Sequence, residues 1–327
     1  DRKLLTVDHP DAGIGWSDSS GNNHCFVAHA CLWGRWQRDI VPGLRDLGQA
    51  YLLTDDARYA RPAAILLYRI ACHYPDYLWE KQAIDAKGPG RILYNGWESK
   101  CLVPFLEAYD AIRPCFNDPK SVALIEKAVG KPAREIVATI EERLVRQAAR
   151  DILEGTNRNR DDPQGTLARA AAILTPDGKP TRAEMTEWVL SNPTCMRWTT
   201  YGAYNQLANG IFPDGMGLQS HQYNRGTLTE LVDLAFLLDR SGVDLFRIRR
   251  FQRHCDFPLE MICLGRFTPS QGDSGDLSHS AGWMYPLYER LYHHPSLAHK
   301  RPLYARVQLD QQQPGRNRNL FLRAPEK

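Results

Sequence analysis

A chain of 327 residues, 43% hydrophobic and 24% charged, has material for one large core or two ordinary ones, and a formal charge of only +3 gives no strong basic field for nucleic acid. No window approaches the roughly 18 uninterrupted apolar residues of a membrane span, and the opening Asp-Arg-Lys-Leu-Leu does not read as a secretory leader. The eight cysteines form no Cys-x-x-Cys pair, which disfavours a zinc ribbon or finger. Cys72, Cys101 and Cys263 lie in apolar runs and read as buried free thiols.

Residues 1–30 form a loop-rich N-terminal segment. Trp33, Trp36, Ile40, Leu44, Leu47 and Tyr51 then step by three or four, one face of a helix. Asp55 or Asp56 can cap a second helix carrying Tyr59, Ala63, Leu67, Ile70 and Tyr74, which stops before Pro75. After a Gly/Pro-rich loop, Leu102, Phe105, Leu106, Tyr109 and Ile112 share a face, and Pro104 either kinks that helix or marks its start. Asp118 as cap, Pro119 in the first helical position and Gly130 as stop delimit the next helix. Residues 132–153 follow, with Ile136, Ile140 and Leu144 in line.

The second half continues in this style. Residues 164–175 predict a small-residue helix, and Thr181 with Glu184 predicts a capping box. Residues 195–209 read as helical, as do 244–264 and 281–293. From Thr227 the apolar residues Leu228, Leu231, Val232, Ala235 and Leu238 mark another helix, ended by Ser241-Gly242. The stretch before it, Phe-Pro-Asp-Gly-Met-Gly-Leu-Gln-Ser-His-Gln-Tyr, reads as a loop holding Tyr223. Long alternating strands are absent, so about ten helices imply an all-α fold, most naturally antiparallel pairs closing into an α/α toroid.

Polar, aromatic and Gly-rich clusters fall at helix starts: 16–29, 90–100, 155–166, 212–226 and 265–283. Loops gathered on one rim would share a cleft. Tyr, Trp, Asn, Arg, His and Gln together suit a sugar chain, with aromatic faces for the rings and amide or guanidinium groups for hydroxyls and carboxylates. His24 and His29 have no evident companion ligands, and the Gly-Asp-Ser-Gly-Asp run has too few carboxylates for a calcium site, so no metal site is read.

Four stretches resemble the helical domain of the heparinase II/III-like polysaccharide lyases, a superfamily that includes alginate lyases. "LRDLGQAYLLTDDARYARPAAILLYRIACHYPDY" resembles paired helices joined at an L-T-G-D-x-x-Y-A turn. "NRDDPQGTLARAAAIL" resembles the Asn-bearing loop and its helix. "FPDGMGLQSHQY" resembles a P-D-G-x-x-x-E-x-S-x-x-Y element, and "TPSQGDSGD" a P-x-x-G-D-S loop. The resemblance spans most of residues 30–290. It implies an incomplete α/α toroid over 31–295 as the catalytic domain. Residues 296–327 would then be a tail or linker toward a C-terminal β-sandwich outside this chain.

The activity so implied is β-elimination on a uronic-acid-containing glycan, without an organic cofactor and with neither nucleic acid nor membrane as partner. It also implies a periplasmic or secreted setting. Tyr223 matches the family Tyr as general acid, and as base in syn geometry. Asn159 best matches the carboxylate-contacting Asn, with Asn157 as fallback. Arg160 stands where many relatives carry His; it can neutralise a carboxylate but is a poor base. Gln219 replaces the usual Glu, and His221 or His279 could supply the second acid/base group. Arg91, Tyr94, Trp97, Asn157, Gln164, Gln219 and His279 are the expected substrate contacts. Two other readings stay open. One is a toroid glycoside hydrolase using Asp214, Asp273 and Asp276. The other is a non-catalytic glycan-binding or truncated scaffold domain.

Overall fold

The structure is a computed structural model that describes residues 16–21, 23–24, 30–77, 91–92, 98–154, 162–196, 199–262, 267–268, 278–279 and 281–309. The described chain is mostly helical, in line with the all-α expectation. Three two-residue antiparallel ladders accompany the helices: Trp16–Ser17 with Asn23–His24, Cys195–Met196 with Thr199–Thr200, and Phe267–Thr268 with Ser278–His279. The chain divides into two compact units, residues 1–188 and 189–327.

In the first unit a wide-turn helical segment, Ala30–Ile40, runs into α1 (Val41–Thr54). Asp55, in left-handed conformation at φ 52°, reverses the chain, and the Asp56 carboxylate accepts from the Arg58 amide to cap α2 (Ala57–His73). α1 packs on α3 (Ser99–Ile112), where a Cβ added to Gly48 would meet the Ala108 Cα at 3.1 Å. Glycine therefore sets how closely these two helices approach. Pro104 lies inside α3, so the helix starts five residues before it. α4 (Pro119–Val129) has the expected boundaries, with Asp118 accepting from the Ser121 amide and Gly130 left-handed at φ 73°. α5 (Ala133–Ile140) continues through a wide-turn stretch, Glu141–Arg146, into α6 (Gln147–Leu153). α7 (Pro163–Ile173) packs on α3 and α6.

The core of this unit is built by Leu44, Ala60, Leu67, Leu102, Phe105, Tyr109, Ile136, Ile140, Leu144 and Leu167, all essentially inaccessible. Each such large side chain contributes about 1.5–3 kcal/mol by leaving water. Arg146 is fully buried too. It donates to the carbonyls of Thr175, Pro180 and Asp177 and so ties the loop that follows α7 to the preceding helix. The expected capping box opens α8 (Arg182–Ser191): Thr181 N donates to Glu184 at 2.7 Å, and Glu184 N donates back to Thr181 Oγ1 at 3.2 Å.

The second unit corrects three sequence expectations. Cys195–Met196 pairs antiparallel with Thr199–Thr200, and helix begins only at α9 (Ala203–Asn205), which widens through Gln206–Gly210. The helix expected from Thr227 begins six residues earlier, as α10 (His221–Asp239). Its predicted stripe of Leu228, Leu231, Val232, Ala235 and Leu238 is buried. Helix also continues past residue 295. After α11 (Arg249–Glu260) and α12 (Ala281–His293), a short turn, Pro295–Lys300, leads into α13 (Arg301–Leu309). Leu297, Tyr304 and Val307 are buried, because α13 packs back on α12, so 296–309 belongs to the core rather than to a tail. The Tyr304 and Tyr288 hydroxyls find partners in Asp256 and the Cys255 carbonyl.

Candidate functional site

The second unit builds a rigid loop directly before α10. Ile211 pairs with Gly217, and Phe212 N donates to Met216 O at 2.7 Å. At the tip Asp214 Oδ1 accepts from Met216 N at 3.0 Å, and Gly215 adopts φ 101°. A side chain at Gly215 would also strike the Arg253 carbonyl, so both conformation and space require glycine. The buried His254 donates its Nδ1 proton to Gly215 O at 2.7 Å. Burial pushes its pKa down to about 4, against a smaller opposing effect from that carbonyl, so the ring is neutral near pH 7. Arg250 donates to Ile211 O at 2.5 Å, and the stem is thereby fixed to α11 at both ends.

The outgoing strand is held by Asn224. Its Nδ2 donates to Gln219 O at 2.7 Å and its Oδ1 accepts from Gln219 N at 3.3 Å. A Cβ on Gly217 would overlap the same carboxamide, which explains the second glycine of the loop. Asn224 N donates to Ser220 O and starts the α10 hydrogen-bond ladder. Ser220 occupies the N-cap position but makes no capping bond, and its Oγ is buried without a partner among the described residues.

Tyr223 therefore sits in the first turn of a 19-residue helix rather than in a loop. It is 53% exposed, and no described residue accepts from or donates to its hydroxyl. His221, two residues earlier, turns inward: it is 6% exposed, and neither ring nitrogen has a hydrogen-bond partner among the described residues. Burial first, and the Arg225 charge second, hold its pKa below the ordinary histidine value, so it is neutral at pH 7. Gln219 is half-buried, with its backbone clamped by Asn224. Asp214, a candidate acid in the hydrolase reading, is exposed and engaged in its turn.

In the first unit Arg91 makes a two-pronged bond to Asp151, with Nε to Oδ2 at 2.5 Å and Nη2 to Oδ1 at 3.0 Å, and its Nη1 donates to Pro75 O. Beside it the fully buried Glu98 accepts from Tyr74 OH at 3.2 Å and from Ile92 N at 2.9 Å. Burial and the Glu98 carboxylate push the Tyr74 phenol well above its ordinary pKa. Arg91 is thus engaged on all three nitrogens, and the substrate contact expected of it would require breaking this clamp. Gln164 is buried in the first turn of α7, where Asp162 caps the helix through Gly165 N. Ser99 Oγ bonds Asp162 O at 2.9 Å and Thr166 Oγ1 at 2.7 Å, which joins the starts of α3 and α7.

Tyr94, Trp97, Asn157, Asn159, Arg160, Asp273 and Asp276 lie outside the described residues. His279 pairs with Phe267 through its backbone. Gln219, His221 and Tyr223 share one loop–helix junction, but His221 faces inward and Tyr223 faces solvent. Sequence reasoning missed Ser220, Asn224 and His254, which shape that junction. The available signal was the spacing of Gly215 and Gly217, which marks two close backbone approaches but not the groups that approach. Comparison of the chain with family models, curated proteins and solved structures gives no match.

Proposed function

We propose that this chain is an α/α-toroid polysaccharide lyase domain that cleaves a uronic-acid-containing glycan by β-elimination. The observation that carries the reading is Tyr223: an exposed phenol with no hydroxyl partner among the described residues, on the first turn of a long helix with one buried face, beside a loop pinned by His254, Arg250 and Asn224. A proton-transfer group needs this combination of access and rigid support. The four motif resemblances add the reaction class.

In this reading the C5 proton of the uronate passes to a base, the C4–O4 bond breaks, a C4=C5 double bond forms and the leaving oxygen takes a proton. Tyr223 donates that last proton and, in syn geometry, also takes the first. Negative charge develops on the uronate carboxylate in the transition state, and Asn159 and Arg160 are the groups proposed to stabilise it. His221, the second proton-handling group in this reading, is neutral but turned inward, so it would have to swing out of its buried position to reach substrate. Phe212 and Leu218, both exposed on the loop before α10, offer apolar surface for sugar rings.

The test is incubation of the full chain with alginate, heparan sulfate, hyaluronan and pectic chains. The expected outcome is growth of the ultraviolet absorbance of an unsaturated uronate on one of them. Reducing-sugar release without that absorbance would replace elimination by hydrolysis. Glycan binding without turnover would replace both by a binding module.

A further inference from the structure

Asp239 ends α10, Asp244 caps the short turn Leu245–Arg247, and His294 follows α12. One carboxylate oxygen from each aspartate and one ring nitrogen of His294 lie within 4.8 Å of one another. We infer that these three side chains bind a divalent cation of the zinc class. The inference does not depend on the lyase reading, and it departs from the sequence reading, which finds no metal site.

The decisive group is His294. It is 6% exposed, and its Nε2 is buried without a hydrogen-bond partner among the described residues. The ring cannot readily turn away, because Phe246 lies against it at 3.8 Å between centroids and Phe236 meets it edge-on at 5.6 Å. Nε2 faces Asp239 Oδ2 at 3.5 Å. That is too long for an N–H···O bond, which favours about 2.9 Å. Two ligands each about 2.1 Å from one ion, at a tetrahedral angle, stand about 3.4 Å apart.

The third ligand is oriented in advance. Asp244 accepts from Phe246 N through Oδ1 at 2.9 Å, and through Oδ2 from Ser296 Oγ at 2.6 Å. Such outer partners hold a ligating carboxylate in place, and Oδ1 keeps a second lone pair for a cation. Arg247 also reaches Asp244 Oδ2, at 3.0 Å, but its side chain is largely solvated and free to yield. Ser296 N donates to Nδ1 at 3.3 Å, which places the proton of the neutral ring on Nε2. Ligation through Nε2 requires that proton to leave, with Nδ1 protonated instead and Ser296 N losing this long contact in exchange for the coordinate bond.

One imidazole nitrogen with two carboxylates suits a borderline ion such as Zn²⁺ or Co²⁺. Ca²⁺ wants six to eight oxygens, and soft ions want thiolate. Water completes the fourth position. The ion would join the end of α10 to the turn before α13.

The test uses the full chain after treatment with a chelator, titrated with Co²⁺ alone and followed by visible absorption and thermal unfolding. The expected result is one Co²⁺ per chain, the intense absorption of four-coordinate cobalt, a raised unfolding temperature and displacement by Zn²⁺. His294→Ala opens an aromatic core and can fail to fold for that reason alone. Asp239→Asn, at a carboxylate partly open to solvent, therefore carries the decision, with an expected weakening of ~10-fold or more. Absence of saturable one-to-one binding overturns the inference. So does unchanged affinity in folded Asp239→Asn protein, which would place the ion elsewhere, for instance at the exposed Cys195.

Discussion

Asn224 grips Gln219 from both sides, donating to its carbonyl at 2.7 Å and accepting from its amide at 3.3 Å. One side chain in the first turn of α10 thus replaces a strand partner for the segment that leads into the helix. The exposed Tyr223 stands one residue before that clamp, so the position of the proposed catalytic phenol depends on a buried carboxamide.

Asn224→Ala should remove both bonds and leave the Gln219 backbone groups without their partner. The expected cost is about 1–3 kcal/mol in urea unfolding. If the clamp positions Tyr223, elimination should fall by more than the unfolded fraction accounts for. Activity that tracks the folded fraction alone would make Asn224 a stability residue only.

Tyr223→Phe should lower elimination by about 10²–10⁴-fold, the usual contribution of a positioned acid or base. Because the ring is half exposed, stability should stay within about 0.5 kcal/mol of wild type. Full activity in the Phe variant would move the proton-handling role to another group.

The buried His254 predicts a pH dependence of stability. Its pKa is about 4 when folded, against about 6.5 when exposed. Between these values the unfolded chain binds more protons, so this contribution is complete above pH 6.5 and is lost as pH falls toward 4. The loss should be about 1.6 kcal/mol between pH 6.5 and 5. Urea unfolding at the two pH values measures it. His254→Asn, less stable at pH 7, should lose most of that slope, and an unchanged slope would assign it to other groups.

Asp151→Ala should cost about 3–5 kcal/mol, because it strands the Arg91 guanidinium in a partly buried site. Lys131→Ala, which breaks the exposed pair with Glu135, should change stability by less than about 1 kcal/mol. Thermal unfolding of the two variants side by side gives the comparison. Equal effects would mean that the Arg91–Asp151 pair is hydrated in solution.

The helix boundaries that were legible in the chain rest on interactions that close within four residues. The Asp56 and Asp118 caps, Gly130 as stop and the Thr181–Glu184 box are of this kind. The apolar stripe from Leu228 to Leu238 was legible for the same reason, since a helical period needs only its own segment. The start of α10 was not. Its first turn is polar and Gly226 lies just beyond it, and both read locally as loop. The helix extends back to His221 because that ring and Asn224 are buried against other parts of the unit, while Gly226 has open space around its Cα.

Local pattern thus specified the helical class, most helix limits and the residue types suited to sugar chemistry. Tertiary packing decided which polar groups are committed and which are available. Arg91 is spent on Asp151, sixty residues away, whereas Tyr223 stays exposed. His294, from a distant part of the chain, meets the neighbouring Asp239 and Asp244 at one point. Contacts at such separations leave no periodic trace in a sequence, because they are set by which helix faces pack together rather than by the spacing of neighbours along one helix.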